Sequence, residues 1–178
     1  MRVISGKARG HKLLAPTGLD VRPTLDRVKE SVFSSIMPYL SDAVVLDLFS
    51  GSGGLGIEAL SRGAARCDFV DKANQSMTAT RKNLEATKLD SYAKTHLVDW
   101  KVFLKGTHEK YTLVFLDPPY SKGIENEAMA LLPSVMEDAG VVVLETEYSP
   151  LDFAGFSMIR QAKYGRVFVT LYKKMPAL

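Results

Sequence analysis

The sequence is poor in the features that staple small secreted domains or anchor membrane proteins. Its single cysteine, Cys67, rules out an internal disulfide and a cysteine-based zinc site. No run approaches the roughly 20 consecutive apolar residues of a membrane-spanning helix. The opening residues, Met-Arg-Val-Ile-Ser-Gly-Lys, lack the apolar centre of a signal peptide, so a cytoplasmic location is expected. The three histidines, His11, His96 and His108, are scattered without metal-ligand spacing, and no metal is expected. Repeats, low-complexity segments and long linkers are missing too. What remains is ordinary globular chemistry. The 178 residues are 46% hydrophobic and 24% charged, enough for one domain with a real core and a small appendage.

Net charge is only +3, but it is unevenly spread. Residues 1–30 hold seven basic residues (Arg2, Lys7, Arg9, Lys12, Arg22, Arg27 and Lys29) against three acids, a net +4 that leaves −1 for the other 148. A basic N-terminal arm facing a polyanion is the functional reading; a solvated basic surface is the bland one.

Residues 2–5 and 11–15 read as short extended runs bracketed by Gly6 and Gly10, a β-hairpin with Lys7, Ala8 and Arg9 at its tip. The arm is expected to occupy residues 1–23 and the main domain 24–178. Thr24 is expected to cap a helix carrying Leu25, Val28, Val32, Phe33 and Ile36 inward, ended by Pro38. From residue 44 strands alternate with helices. Strands are expected at 44–49, 67–70, 93–98, 112–116 and 140–144, and helices at 55–62, 74–89 and 125–136. The second helix would turn Met77, Leu84 and the stem of Lys88 inward. Residues 156–162 and 167–172 flank Tyr164-Gly165-Arg166 as a closing antiparallel hairpin. The whole predicts an α/β fold: a seven-stranded, mostly parallel sheet with helices on both faces.

Residues 51–56, Gly-Ser-Gly-Gly-Leu-Gly, follow a strand and open a helix, with Asp71 twenty residues past Gly51. On spacing alone this is the dinucleotide fingerprint, its acid set for a ribose hydroxyl. Asp47 argues against a nicotinamide cofactor, because a carboxylate four residues before Gly51 would repel a pyrophosphate. It suits the ammonium and sulfonium of S-adenosylmethionine. Asp99 ends the third strand, where it could accept from an adenine amino group, and Phe49 or Trp100 could supply apolar contact. The expected cofactor residues are Asp47, Phe49, Ser50, Gly51, Gly53, Asp71, Lys72, Asp99 and Trp100. Lys72 is solvated rather than catalytic in this reading.

Leu113 to Tyr120 reads Leu-Val-Phe-Leu-Asp-Pro-Pro-Tyr. Its apolar half is a buried strand. Pro118 and Pro119 lack backbone N–H groups, so the strand must stop at Asp117, at the sheet edge where ligands of open parallel sheets bind. Asp117, Pro118, Pro119 and Tyr120 form the candidate catalytic device, one that grips a flat polar group.

Asp47-Leu-Phe-Ser-Gly-Ser-Gly together with Asp117-Pro-Pro-Tyr resembles the class I (Rossmann-like) methyltransferases that act on exocyclic amino groups. Arg2-Val-Ile-Ser-Gly-Lys, Arg9-Gly-His-Lys-Leu, Arg22-Pro-Thr-Leu-Asp-Arg-Val-Lys-Glu and Glu58-Ala-Leu-Ser-Arg-Gly-Ala are similar to the bacterial RsmD family. Leu25 stands where that family usually has a second threonine. The resemblance implies methyl transfer from S-adenosylmethionine to N2 of one guanine in 16S ribosomal RNA, within the 30S subunit or its assembly intermediate, by a monomer. Lys7, Arg9, Lys12, Arg22 and Arg27 would then hold phosphates. The rival readings are a DNA adenine-N6 methyltransferase, a nicotinamide dehydrogenase and a non-catalytic RNA-binding module.

Overall fold

The computed structural model describes residues 1–16, 26–119, 123–149 and 152–176. Helix α1 (Asp26–Ile36) precedes the alternation β1 (Val44–Leu48), α2 (Gly54–Ser61), β2 (Arg66–Asp71), α3 (Asn74–Thr87), β3 (Ala93–Leu97), α4 (Trp100–Gly106), β4 (Tyr111–Leu116), α5 (Ile124–Leu131) and β5 (Met136–Thr146). The hairpin β6 (Phe156–Tyr164) and β7 (Val167–Lys174) closes the chain. Seven strands form one sheet in the order β3-β2-β1-β4-β5-β7-β6. β3, β2, β1, β4 and β5 are parallel, and β7 lies antiparallel between β5 and β6. Strand order reverses between β1 and β4, so the carboxyl ends of these two strands flank the crevice where such sheets take ligands.

The period of two along each strand divides the core in two. Val45, Phe69, Leu113, Phe115, Val141, Val143 and Val169 face one side, where they pack with Phe33 and Ile36 of α1, Ile57 and Leu60 of α2, and Leu84 of α3. Leu46, Leu48, Val70, Val114, Leu116, Val142 and Leu144 face the other, against Trp100, Phe103 and Leu104 of α4 and Met129 of α5. Parallel strands buried on both faces account for the nearly continuous apolar runs in the sequence.

Several expectations need correction. The helix expected over 125–136 stops at Leu131. Pro133 then lies in a tight turn over Leu132–Val135, and β5 starts at Met136, because a proline within a longer helix would remove a hydrogen bond and clash with the turn before it. The seven-residue α4 was not expected. It is short, and its N-terminus is capped by Asp99, whose Oδ1 accepts the Lys101 N–H at 2.9 Å. Lys88 does not cover the core. It is exposed and closes α3 with φ +57°, a left-handed cap. Thr24 and Leu25 lie outside the described residues.

The N-terminal hairpin is present: Arg2 pairs antiparallel with Lys12, and Val3 N–H donates to the His11 carbonyl, Gly10 N–H to the Val3 carbonyl and Leu13 N–H to the Met1 carbonyl at 2.9–3.0 Å. Its backbone also bonds to the domain. Ile4 and Ser5 N–H donate to the Glu58 carboxylate, Lys7 N–H to the Ser61 carbonyl at 2.8 Å and Ala8 N–H to Ser61 Oγ at 2.9 Å. Ala8, expected at the hairpin tip, is therefore buried. Gly6, at φ +84°, passes so close that a Cβ would sit 1.8 Å from the Ser61 oxygen, so this docking requires glycine.

Candidate functional site

Four acids end neighbouring parallel strands. Asp47 pairs in register with Phe69 and Phe115, and both of those rings lie on the α1–α2–α3 face. Asp71 and Asp117 fall two residues beyond Phe69 and Phe115, and Glu145 two beyond Val143. By the period of two, Asp47, Asp71, Asp117 and Glu145 therefore leave the sheet on one face.

Asp47 is 3% exposed, and its Oδ2 accepts the Gly56 N–H at 2.9 Å. That single backbone bond does not offset the loss of water. Burial, reinforced by the charges of Asp117 and Asp71, pushes its carboxyl up to about 8. The same N–H fixes the turn, since Gly56 lies so close to Phe69 that a Cβ would meet the ring at 2.3 Å. Asp71 clasps the turn from the other side. Its Oδ2 accepts from Gly51 N–H at 2.9 Å and its Oδ1 from Ala73 N–H at 2.8 Å. Thr80 Oγ1 donates to the Gly51 carbonyl and Asn83 Nδ2 to the Ser52 carbonyl, both at 2.9 Å. The loop is thus preformed. Phe49 holds φ +70° within it, an unusual conformation for an aromatic residue, and its ring lies 5.8 Å from that of Trp100. Ser50 is buried, and its Oγ has no hydrogen-bond partner.

Asp117 follows the last residue of β4. Burial raises its carboxyl above the ordinary carboxylate range. Pro118 is buried behind it and Pro119 is exposed. Tyr120 lies outside the described residues. Glu145, on β5, is a member of the site that sequence reading missed. Its Oε1 is enclosed and has no partner, and burial followed by the charges of Asp117 and Asp47 pushes it up to about 8. The signal was there: a glutamate in step with Val141 and Val143 on a strand whose inward neighbours are all apolar. A strand ending at 144 leaves it outside the sheet, whereas β5 runs to Thr146.

Asp47, Phe49, Ser50, Gly51, Gly53 and Asp71 come together around one turn. Asp99 and Trp100 adjoin it through the Phe49 ring, with Asp99 committed by one oxygen to capping α4. Lys72 is exposed beside Asp71. Of the basic residues, Lys7, Arg9, Lys12 and Arg27 are exposed, and Arg22 lies outside the described residues. Two of the seven charges counted near the N-terminus are already engaged: Arg2 pairs with Asp26 at 2.9 Å, and Lys29 is buried against Glu58 at 3.0 Å. Among the described residues, no three His, Cys, Asp or Glu side chains are grouped to hold a metal ion. No helix among them is long and apolar enough to cross a membrane.

The arrangement is a row of carboxyls with fewer partners than they can use, next to a rigid glycine turn. It favours a cation and hydrogen-bond donors, and disfavours a pyrophosphate. Comparison with known proteins agrees with this chemistry. Residues 1–173 match the family model described as Conserved hypothetical protein 95. The chain is 34% identical to the ribosomal RNA small subunit methyltransferase D of Escherichia coli K12, over 98% of this chain and 90% of that protein. It is 32% identical to the protein of the same name from Haemophilus influenzae, over 97% and 93%. The solved structure of the Escherichia coli protein yhhF superposes with a TM-score of 0.90 at 34% identity, covering 99% of each chain. The fold is that of the class I methyltransferases.

Proposed function

Because the chain belongs to the family of ribosomal RNA small subunit methyltransferase D, the RsmD family, we propose that it methylates the exocyclic N2 amine of one guanine in 16S ribosomal RNA, with S-adenosylmethionine as donor. The observation that carries this reading is the placement of Asp117. It sits at the carboxyl end of β4, on the same face as Asp47 and beside the glycine turn, with two prolines fixing the chain behind it.

The residues around the turn fit the donor. Asp47 is a buried carboxylate short of compensation, which an ammonium or sulfonium would supply. Ser50 Oγ is an enclosed polar atom without a partner. Asp71 accepts one hydrogen bond at each oxygen from the turn, and its remaining acceptor capacity would serve a ribose hydroxyl. Asp99, Phe49 and Trp100 would border the adenine. When bound, S-adenosylmethionine supplies an electrophilic methyl group on a sulfonium.

The protein's contribution to the reaction is positional. Guanine N2 is a weak nucleophile because its lone pair is delocalised into the ring. The Asp117 carboxylate, which when ionised can only accept, takes one N2–H, and the Pro118 carbonyl takes the other. Two acceptors set at an angle draw the amine toward tetrahedral geometry and direct the lone pair at the methyl. Holding reactants this way supplies roughly 7–11 kcal/mol in favourable cases. Tyr120 would stack on a base turned out of the RNA, a contact worth about 1–3 kcal/mol. Lys7, Arg9, Lys12, Arg22 and Arg27 of the arm and of the start of α1 would hold phosphates and set register.

The test is transfer of labelled methyl to 30S particles from a strain lacking its own enzyme, followed by nucleoside analysis. N2-methylguanosine at a single position is the expected product. Any other methylated nucleoside, or none, would overturn the reading.

A further inference from the structure

An amine grip of the kind described leaves a question of choice. Adenine also carries an exocyclic amine, and Asp117 with the Pro118 carbonyl would accept its N–H groups as readily as those of guanine. The two bases differ beside the amine. Guanine presents an N1–H donor next to N2, whereas adenine presents an N1 lone pair next to N6.

Glu145 stands where that difference would be read. The last register pair between β4 and β5 is Leu116 with Leu144, so Asp117 and Glu145 are the next residues along on adjacent strands. Parallel strands lie about 4.8 Å apart, which puts the two carboxylates side by side at one height. Their common face is fixed independently from the other edge of β5. There Glu145 is paired with Val169, and Val169 packs in the α1–α2–α3 core with Phe115 and Val143. Residues directly opposite in a pair share a face. Glu145 Oε1 is fully enclosed, with no hydrogen bond, although a buried carboxylate oxygen is ordinarily satisfied. The charge of Asp117 acts on it ahead of that of Asp47. An enclosed acceptor beside the amine-gripping acid, short of a donor, calls for a ligand with a second N–H adjacent to its amine.

We propose that Glu145 is the specificity-determining residue of the site, accepting the N1–H of the target guanine while Asp117 accepts an N2–H. This assignment rests on the methyltransferase reading above and extends it to the choice of base. In the guanine complex, Oε1 gains the donor it lacks. With adenine, or with any purine carrying a lone pair at N1, the ionised carboxylate faces that lone pair and both stay unpaired; only the protonated carboxyl, whose O–H donates, would take such a base. Sites built to bond a substrate N–H discriminate by far more than apolar pockets do, since the rejected base leaves buried polar groups unsatisfied.

The decisive probe is 2-aminopurine, which keeps the exocyclic 2-amine but has a lone pair at N1. Particles assembled with guanine or 2-aminopurine at the nucleotide methylated by the wild-type enzyme are compared as substrates, by kcat/KM, at a pH above the value of about 8 to which burial raises the Glu145 carboxyl, so that it is ionised. The wild-type enzyme is expected to prefer guanine by at least about 100-fold. Glu145→Gln can turn an amide N–H toward N1, and should narrow that preference about tenfold or more through a gain on 2-aminopurine. Glu145→Ala should narrow it by a loss on guanine alone. Adenosylhomocysteine binding by both variants verifies that the cofactor half of the site is intact. A guanine preference unchanged in both variants, with both substrates slowed equally, would overturn the assignment and leave Glu145 a structural carboxylate. No methylation of the guanine particle by the wild-type enzyme would overturn the methyltransferase reading itself, and this assignment with it.

Discussion

Glu58 and the acids at the carboxyl edge occupy the same side of the sheet, and they are built on opposite principles. Glu58 of α2 is wholly buried and wholly satisfied. It is ion-paired with the Lys29 ammonium at 3.0 Å and accepts from Arg62 Nε at 2.8 Å, Ile4 N–H at 2.8 Å and Ser5 N–H at 3.0 Å. At the carboxyl edge Asp47 is buried and Asp117 and Glu145 are half-buried, all with too few partners, and all three carboxyls are raised by desolvation. A saturated carboxylate holds structure together; here it pins the basic arm and α1 to α2. An unsaturated one is costly in the empty protein and is kept where a ligand completes it. The contrast marks the site without reference to any relative.

The largest test of the contrast is Glu58→Ala. It strands the Lys29 ammonium, buried with no exposed surface, and should cost about 3–5 kcal/mol in urea unfolding. A cost below about 1 kcal/mol would erase the distinction between the two groups. Asp117→Ala should do the opposite. Methyl transfer should fall by about 10²–10³-fold, as for loss of one key transition-state hydrogen bond, with adenosylhomocysteine still bound and the fold intact. Near-normal turnover would sink its catalytic role. Replacing Arg9 and Lys12 together by Ala should weaken RNA binding and flatten the plot of log affinity against log salt by about 0.7–0.9 for each phosphate no longer neutralised. An unchanged slope would make the arm a docking element only.

The smallest effect has a definite sign. Burial raises the Glu145 carboxyl from the ordinary 4.5 to about 8, so the folded chain holds a proton that the unfolded chain releases across that range. Stability from this group is full below the unfolded value and is lost as pH rises through the folded one. Glu145→Gln should therefore raise the melting temperature of the ligand-free protein at pH 8, with the gain fading toward pH 4.5. Each kcal/mol corresponds to about 2–4 °C at this chain length. A gain that is equal at both pH values would mean that the carboxyl is not held protonated by the fold.

Much of this was legible along the chain. Val44 to Leu48 and Leu113 to Leu116 are apolar runs of strand length, and the glycines of 51–56 and the prolines after Asp117 mark where those strands must end. Asp47, Asp71 and Asp117 were visible because each interrupts or ends such a run. Glu145 was not, since a glutamate at the end of a strand is ordinarily a solvated residue; only the pairing of β5 between β4 and β7 encloses its Oε1. Lys29 was counted with the basic arm for the same reason. A lysine on an amphipathic helix belongs to solvent by default, and only the packing of α1 against α2 supplies its buried partner.

The sequence by itself determined the order of the elements, the break in the chain at Asp117-Pro118-Pro119 and the acids that border the glycine turn. Periodicity, missing N–H groups and positive-φ glycines act over a few residues, and so can be read locally. The tertiary structure alone decided which charges are paired. It gave Glu58 three hydrogen-bond donors and the Lys29 ammonium, and left Glu145 with an unpartnered oxygen beside Asp117. The cost of a buried charge depends on neighbours brought together from distant parts of the chain, and no local pattern encodes them.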